Sequence, residues 1–119
     1  MSDKFIVTGG AGFIGSHLAE RLLARGDEIV GLDNFDPFYP RSYKERNLRI
    51  LQAYPNFSLV EADLRDRDAV MKTMEARRPD GIIHLAAKAG VRPSIQDPVA
   101  YTETNITGTL NLLLACEKY

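Results

Sequence analysis

The fold class this sequence predicts is a doubly wound parallel α/β sheet of about four strands with helices on both faces. Three observations predict it. Short apolar runs alternate with longer amphipathic ones in the order βαβαβαβα. A glycine-rich turn separates the first apolar run from the first amphipathic one, and an acidic residue ends the second apolar run. Strands that alternate with helical segments imply right-handed crossovers and hence parallel pairing.

Each element follows from local pattern. Phe5-Ile6-Val7-Thr8, stopped by Gly9-Gly10, predicts a buried strand over 5–8. Ile14, Leu18 and Leu22 recur at i, i+4 and i+8 with Leu23 beside them, which predicts a helix over 13–25. Gly26 closes it where a left-handed residue is needed. Residues 29–32 form the second strand, ending at Asp33, and Asn34 to Pro40 is a loop because it holds two prolines among Asp and Asn. A helix over 41–54 is polar and basic on one side, turns Leu48, Leu51 and Tyr54 to the core, and stops at Pro55. Residues 57–62 make the third strand, followed by Asp63. Asp66 or Asp68 caps a helix over 68–77, and Pro79-Asp80-Gly81 is a turn. The fourth strand covers 81–86, a loop rich in Gly and Pro covers 87–98, and a long helix dense in leucine covers 99–118. No internal repeat, low-complexity tract or linker divides the chain.

Composition narrows the function classes. With 119 residues, 45% hydrophobic and 26% charged, the chain reads as one ordinary globular domain, too short for a large two-domain enzyme. Fifteen Lys and Arg against sixteen Asp and Glu give a net charge of −1, which argues against a nucleic-acid partner. A single cysteine, Cys116, forbids an intrachain disulfide and points to a reducing compartment. The apolar stretch 110–116 is far short of a membrane span, and the N-terminus shows no signal-peptide core, so a cytoplasmic location is expected.

The glycine turn carries the chemistry. In Thr8-Gly9-Gly10-Ala11-Gly12-Phe13-Ile14-Gly15, residues Gly10, Gly12 and Gly15 satisfy G-x-G-x-x-G, while Gly9, Gly12 and Gly15 satisfy G-x-x-G-x-x-G. Glycine permits the tight turn, the approach of backbone to a pyrophosphate, and close packing of helix on strand. The helix N-terminus offers N–H groups and a positive dipole end to phosphates. No Lys-Ser/Thr pair follows, so a nucleoside triphosphate loop is not expected. Asp33 lies 18 residues after Gly15, near the spacing at which a carboxylate receives the adenosine ribose hydroxyls. It would repel a 2′-phosphate and so favours NAD over NADP, a preference that the nearby Arg41 and Lys44 weaken. The alternative is a glycine-rich turn followed by an acidic strand cap.

These residues bring the chain close to a known family. The run from Gly9 to His17, Asp33-Asn34, Ala62-Asp63-Leu64 and His84-Leu85-Ala86-Ala87 together resemble the extended short-chain dehydrogenase/reductases, within them the nucleotide-sugar epimerases and dehydratases. Asp33-Asn34-Phe35 and Ala89-Gly90-Val91-Arg92-Pro93-Ser94 look most like UDP-glucuronate 4-epimerases. The resemblance covers the whole chain as a Rossmann-type dinucleotide-binding portion, without the substrate domain. It implies NAD as cofactor, with the glycines and the backbone of Phe13 and Ile14 at its pyrophosphate. It implies Asp33 and Asn34 at the adenosine ribose and Asp63 and Leu64 at the adenine. Leu85, Ala86 and Ala87 would lie along the nicotinamide-side ribose and phosphate, with Asn105 near the cofactor. Bland alternatives stand beside these: Asp63 as a strand or helix cap, Leu85-Ala86-Ala87 as small packing residues, Asn105 as a helix polar group bonded to a loop. The Asp residues between 33 and 68 show no metal-ligand spacing, and no metal is expected. Arg92, in the loop after the fourth strand, either grips the carboxylate of a uronate sugar nucleotide or is a solvated arginine.

The resemblance also implies a Tyr-x-x-x-Lys pair for proton transfer. None of the tyrosines here has lysine four residues on, so no catalytic residue is assigned. The chain reads as the first part of a longer enzyme, leaving the fourth strand as a bare edge and the Leu110, Leu113, Leu114 face partly uncovered. Self-association into a homo-oligomer is therefore expected. Two function classes remain: the NAD-binding portion of a nucleotide-sugar 4-epimerase working through a transient 4-keto sugar, or a stand-alone dinucleotide-binding, redox-sensing module.

Overall fold

Four parallel strands form the sheet in the computed structural model, which describes residues 2–119. They are β1 (Lys4–Thr8), β2 (Glu28–Asp33), β3 (Phe57–Glu61) and β4 (Gly81–His84), in the order β3-β2-β1-β4. The parallel α/β class is as predicted. The chain divides into two compact units, Met1–Glu61 with Pro79–Leu85, and Ala62–Arg78 with Ala86–Tyr119.

The first unit holds the whole sheet. The central strands are its most apolar: Ile6, Val7, Ile29 and Val30 are buried, whereas the edge strands β3 and β4 are mostly half-buried. Register sets Thr8 beside both Leu32 and His84, and Asp33 beside Glu61, so the carboxyl ends of the strands lie level. The order reverses between β1 and β4. In open α/β sheets this reversal opens a crevice outside the carboxyl ends.

Two helices belong to this unit, α1 (Phe13–Arg25) and α2 (Arg41–Gln52). α1 has the predicted bounds, but its buried face is Gly15, Ser16, Ala19 and Leu23, while Ile14 is exposed. Of the predicted stripe, Leu18 and Leu22 are half-buried, Leu22 packs against the core and Leu23 is buried, so only Ile14 falls outside. Gly26 ends it at φ 103°, its N–H reaching Leu22 and Leu23 carbonyls. α2 buries Leu48 and Leu51, as expected, and also Lys44. Leu48 and Leu51 join Val7, Ala11, Leu23, Ile29 and Phe35 in one core.

In the second unit, α3 (Arg67–Arg77) starts one residue earlier than predicted, capped by Asp66, whose carboxylate accepts from the Ala69 N–H at 3.1 Å. Val70 and Met74 of α3 are buried, as are Leu112 and Ala115 of α6 (Gly108–Lys118), the helix that contacts α3 in this unit. Asn111 is buried too, its amide donating to Leu64 O at 2.7 Å and its oxygen accepting from Arg67. The predicted loop over 87–98 contains a helix instead, α4 (Val91–Gln96). Pro93 lies in its first turn, where a missing N–H costs nothing. The predicted helix over 99–118 is α5 (Pro98–Thr102), a π-helical turn (Glu103–Thr107) and α6. Thr102 and Thr109 hydroxyls donate to the carbonyls of Pro98 and Asn105, the back-bonding that bends helices.

Candidate functional site

The glycine turn leaves β1 at a residue only glycine adopts readily: Gly9 has φ 70°. Its N–H donates to Leu32 O at 2.7 Å, so the turn is tied to β2. Gly9 O then accepts from the Gly12 N–H at 3.0 Å. Gly15 meets this carbonyl directly, for a Cβ there would lie 2.1 Å from Gly9 O. A Cβ on Gly10 would stand 3.0 Å from Gly31 Cα, and one on Gly12 3.2 Å from Gly9 O. Gly9 and Gly15 are thus the positions where the turn demands glycine. No side chain caps the start of α1 and no acidic residue sits in its first turn. The N–H groups of Phe13, Ile14 and Gly15 therefore carry the positive end of the helix dipole with no anion of the described residues to answer it. The Phe13 and Ile14 side chains are exposed.

Asp33 stands at the end of β2 with its side chain 4% exposed. Oδ2 accepts from the Ala11 N–H of the glycine turn at 3.1 Å. Oδ1 accepts from the Phe35 N–H at 2.8 Å and from Lys44 Nζ at 2.9 Å. Phe35 holds a left-handed backbone, φ 57°, which aims its N–H back at the carboxylate. Asn47 Nδ2 donates to Ala11 O at 2.9 Å, so α2 fixes the turn from a second side. Asn34 is exposed, its Oδ1 accepting from the Asp36 N–H. The structure thus brings Gly9, Gly12, Gly15, Asp33 and Asn34 to one end of the sheet. The sequence marks Lys44 as a cation near Asp33 but not as its buried partner, and it gives no sign that Asn47 holds the turn, because nothing local marks a buried side chain on a basic helix.

A second constellation joins β1 to β4. The buried Thr8 Oγ1 accepts from the Leu85 N–H at 3.0 Å and lies 2.6 Å from His84 Nδ1. Burial pushes the His84 pKa below its ordinary value, so the ring is neutral at pH 7. Leu85 is exposed beside it.

The other predicted residues belong to the second unit. Asp63 is held in a fork by Arg65, whose Nε lies 3.0 Å and Nη2 2.6 Å from the carboxylate. Leu64 is buried, with Gly108 packed so close that a Cβ there would lie 3.0 Å from Leu64 Cβ. Asn105, on the π-helical turn, takes the Lys88 backbone at both ends: Oδ1 accepts from its N–H at 2.8 Å and Nδ2 donates to its carbonyl at 3.1 Å. Tyr101 adds a hydroxyl bond to Ala89 O at 2.6 Å. The segment carrying Ala86 and Ala87 is thereby anchored just downstream. Arg92 falls on α4 rather than in a loop; it is exposed and makes no ion pair among the described residues. No cluster of His, Cys, Asp and Glu suited to a metal occurs among the described residues. No helix there is long and apolar enough to cross a membrane.

A parallel sheet in this order, with a glycine turn leading from β1 into α1 and an acidic residue ending β2, is a Rossmann-type fold. The chain belongs to the GDP-mannose 4,6 dehydratase family, whose profile matches residues 6–119. It is 46% identical over 110 residues to a probable UDP-glucuronate 4-epimerase of Rhizobium meliloti, covering 92% of this chain and 32% of that protein. Among solved structures it resembles the UDP-glucuronic acid 4-epimerase of Bacillus cereus in complex with UDP-glucuronic acid and NAD. There the TM-score is 0.88, with 37% identity, 98% of this chain covered and 37% of that one. It also resembles the Thermus thermophilus UDP-glucose 4-epimerase in complex with NAD, with TM-score 0.81, 41% identity, and 98% and 34% covered. The chain spans about a third of the length of these relatives.

Proposed function

We propose that this chain is the NAD-binding portion of a nucleotide-sugar 4-epimerase of the UDP-glucuronate type. The observation that carries this reading is the glycine turn: Gly9 takes a left-handed φ of 70°, Gly15 leaves no room for a side chain, and the first turn of α1 has no acidic or capping side chain to answer its N–H groups. That is the geometry a pyrophosphate fits. The two epimerases of known structure named above hold NAD. NAD would supply hydride transfer at C4 of the sugar. The residues here bind and orient: the first turn of α1 at the pyrophosphate, Asp33 and Asn34 at the adenosine ribose, and Asp63 with Leu64 at the adenine. Leu85, Ala86 and Ala87 lie along the nicotinamide-side ribose and phosphate. Asn105 acts through Lys88, keeping that segment in place. Proton transfer belongs to residues other than these 119, which contain no Tyr-x-x-x-Lys.

Arg92, exposed and without an ion pair among the described residues, is assigned to the substrate carboxylate. Of the Leu110, Leu113, Leu114 face, Leu110 and Leu113 are exposed and Leu114 is half-buried, which supports self-association, and the single cysteine supports a cytoplasmic setting. Calorimetric titration of the chain with NAD tests the reading. Saturable one-to-one binding is expected, and no heat at millimolar NAD refutes it.

A further inference from the structure

Two cations near the end of β2, Arg41 and Lys44, stand close in sequence to Asp33, and the fold separates their roles. Arg41 pairs with Glu45 at 3.1 Å and Glu61 at 3.6 Å, and its guanidinium lies 4.4 Å from the Phe35 ring centroid. It is more than half exposed and does not reach Asp33. Lys44 is different: its ammonium lies 2.9 Å from Asp33 Oδ1, with side-chain exposures of 11% and 4% for the two partners. With Ala11 and Phe35, it brings three donors to one carboxylate. A carboxylate accepts at about four lone-pair sites, so one remains. Asp33 therefore lacks the free acceptor capacity to take two ribose hydroxyls as an isolated carboxylate would. Nor does it present a bare negative charge.

We propose that Lys44 is a specificity-determining residue: the buried Asp33–Lys44 pair, not Asp33 alone, sets the balance between a ribose 2′-hydroxyl and a 2′-phosphate on the dinucleotide. This rests on the reading that the glycine turn holds a nicotinamide dinucleotide. The ammonium cancels the repulsion that Asp33 would otherwise exert on a phosphate. In a site this dry the cancellation is felt more strongly than at a surface. One of the three ammonium donors is committed to Asp33, which leaves the pair able to donate as well as accept. Arg41, bound to its own glutamates, has no such part.

The test is the ratio of dissociation constants, NADP over NAD, measured by calorimetry on the full chain and its variants. Lys44→Met is expected to raise the ratio about tenfold or more, since it leaves a carboxylate without its cation. Lys44→Arg and Arg41→Met are expected to stay within about threefold of the unmodified chain. A second comparison keeps the question open to refutation where Lys44→Met does not fold. Asp33→Asn is set against the double variant Asp33→Asn/Lys44→Met, which carries no buried unpaired charge. The double variant is expected to show a ratio about tenfold above that of Asp33→Asn. Ratios that ignore Lys44 in the folded variants, or that move as far with Arg41→Met, overturn the proposal while leaving NAD binding intact. A chain that binds neither nucleotide overturns the cofactor reading and this proposal with it.

Discussion

Replacing Gly15 with alanine places one methyl group where the chain has no room for it. The new Cβ would lie 2.1 Å from Gly9 O, 2.8 Å from Gly9 C and 3.2 Å from Gly10 Cα. A Cβ keeps at least about 3 Å from such atoms, so helix and turn must part by about 1 Å. Neither side yields easily. Gly9 is hydrogen-bonded to Leu32 at 2.7 Å, and α1 is seated on its Ala19 and Leu23 face. Overpacking costs about 1–3 kcal/mol, and a clash of backbone with backbone belongs at the upper end. At about 3–5 °C per kcal/mol, the melting temperature should fall by roughly 10–15 °C. The same displacement moves the N–H groups of the first turn of α1, and NAD affinity should fall by about 100-fold. Two controls separate stability from the site. Gly12→Ala meets Gly9 O only at 3.2 Å and should cost under about 1 kcal/mol. Gly26→Ala meets nothing within 4 Å but sits at φ 103°, so it should lose about 1 kcal/mol of stability and keep its NAD affinity. Differential scanning fluorimetry and calorimetry read both quantities. A Gly15→Ala chain that melts and binds like Gly26→Ala would show that the close approach of helix and turn is not what the site depends on.

Two further perturbations follow from other parts of the site. The His84 pKa is lowered by burial, so the unfolded chain takes up the proton before the folded chain does; stability should therefore fall as pH drops below about 6.5, and His84→Asn should flatten that slope in urea melts at pH 7 and pH 5. Asn105→Ala removes both hydrogen bonds to the Lys88 backbone, about 2 kcal/mol in sum, and amide exchange at Lys88 should accelerate; protection equal to that of the unaltered chain would assign the anchoring to Tyr101 instead.

Most of the fold was legible in pattern. The four strands and first three helices lie within a few residues of their predicted places because each is written in local code: an apolar run, a period near four, a glycine after a helix, an Asp before one. Where the reading failed, a local signal was overruled. Pro93 reads as a loop residue in sequence and occupies the first turn of α4 in the chain. Ile14 reads as part of the core stripe of α1 but is exposed, whereas Leu22 and Leu23 of that reading do pack on the core, and the small residues Gly15 and Ala19 are buried beside them.

The candidate site divides along the same line. The glycine turn and Asp33 are visible in sequence because their chemistry depends on residue type at fixed spacing, within one strand–turn–helix unit. The surroundings of Asp33 are not, since Lys44 reaches Asp33, and Asn47 reaches the turn, only once α2 is packed in the fold. The bond between Thr8 and His84 spans 76 positions, and the clamp of Asn105 on Lys88 requires a π-helical turn that no periodicity announces. Sequence by itself determined the strand order of succession, the glycine turn and the acid at the end of β2. Only the tertiary structure decided what neutralises that acid and what holds the turn. Charge pairing inside a fold depends on distance through space, and spacing along a chain does not encode it.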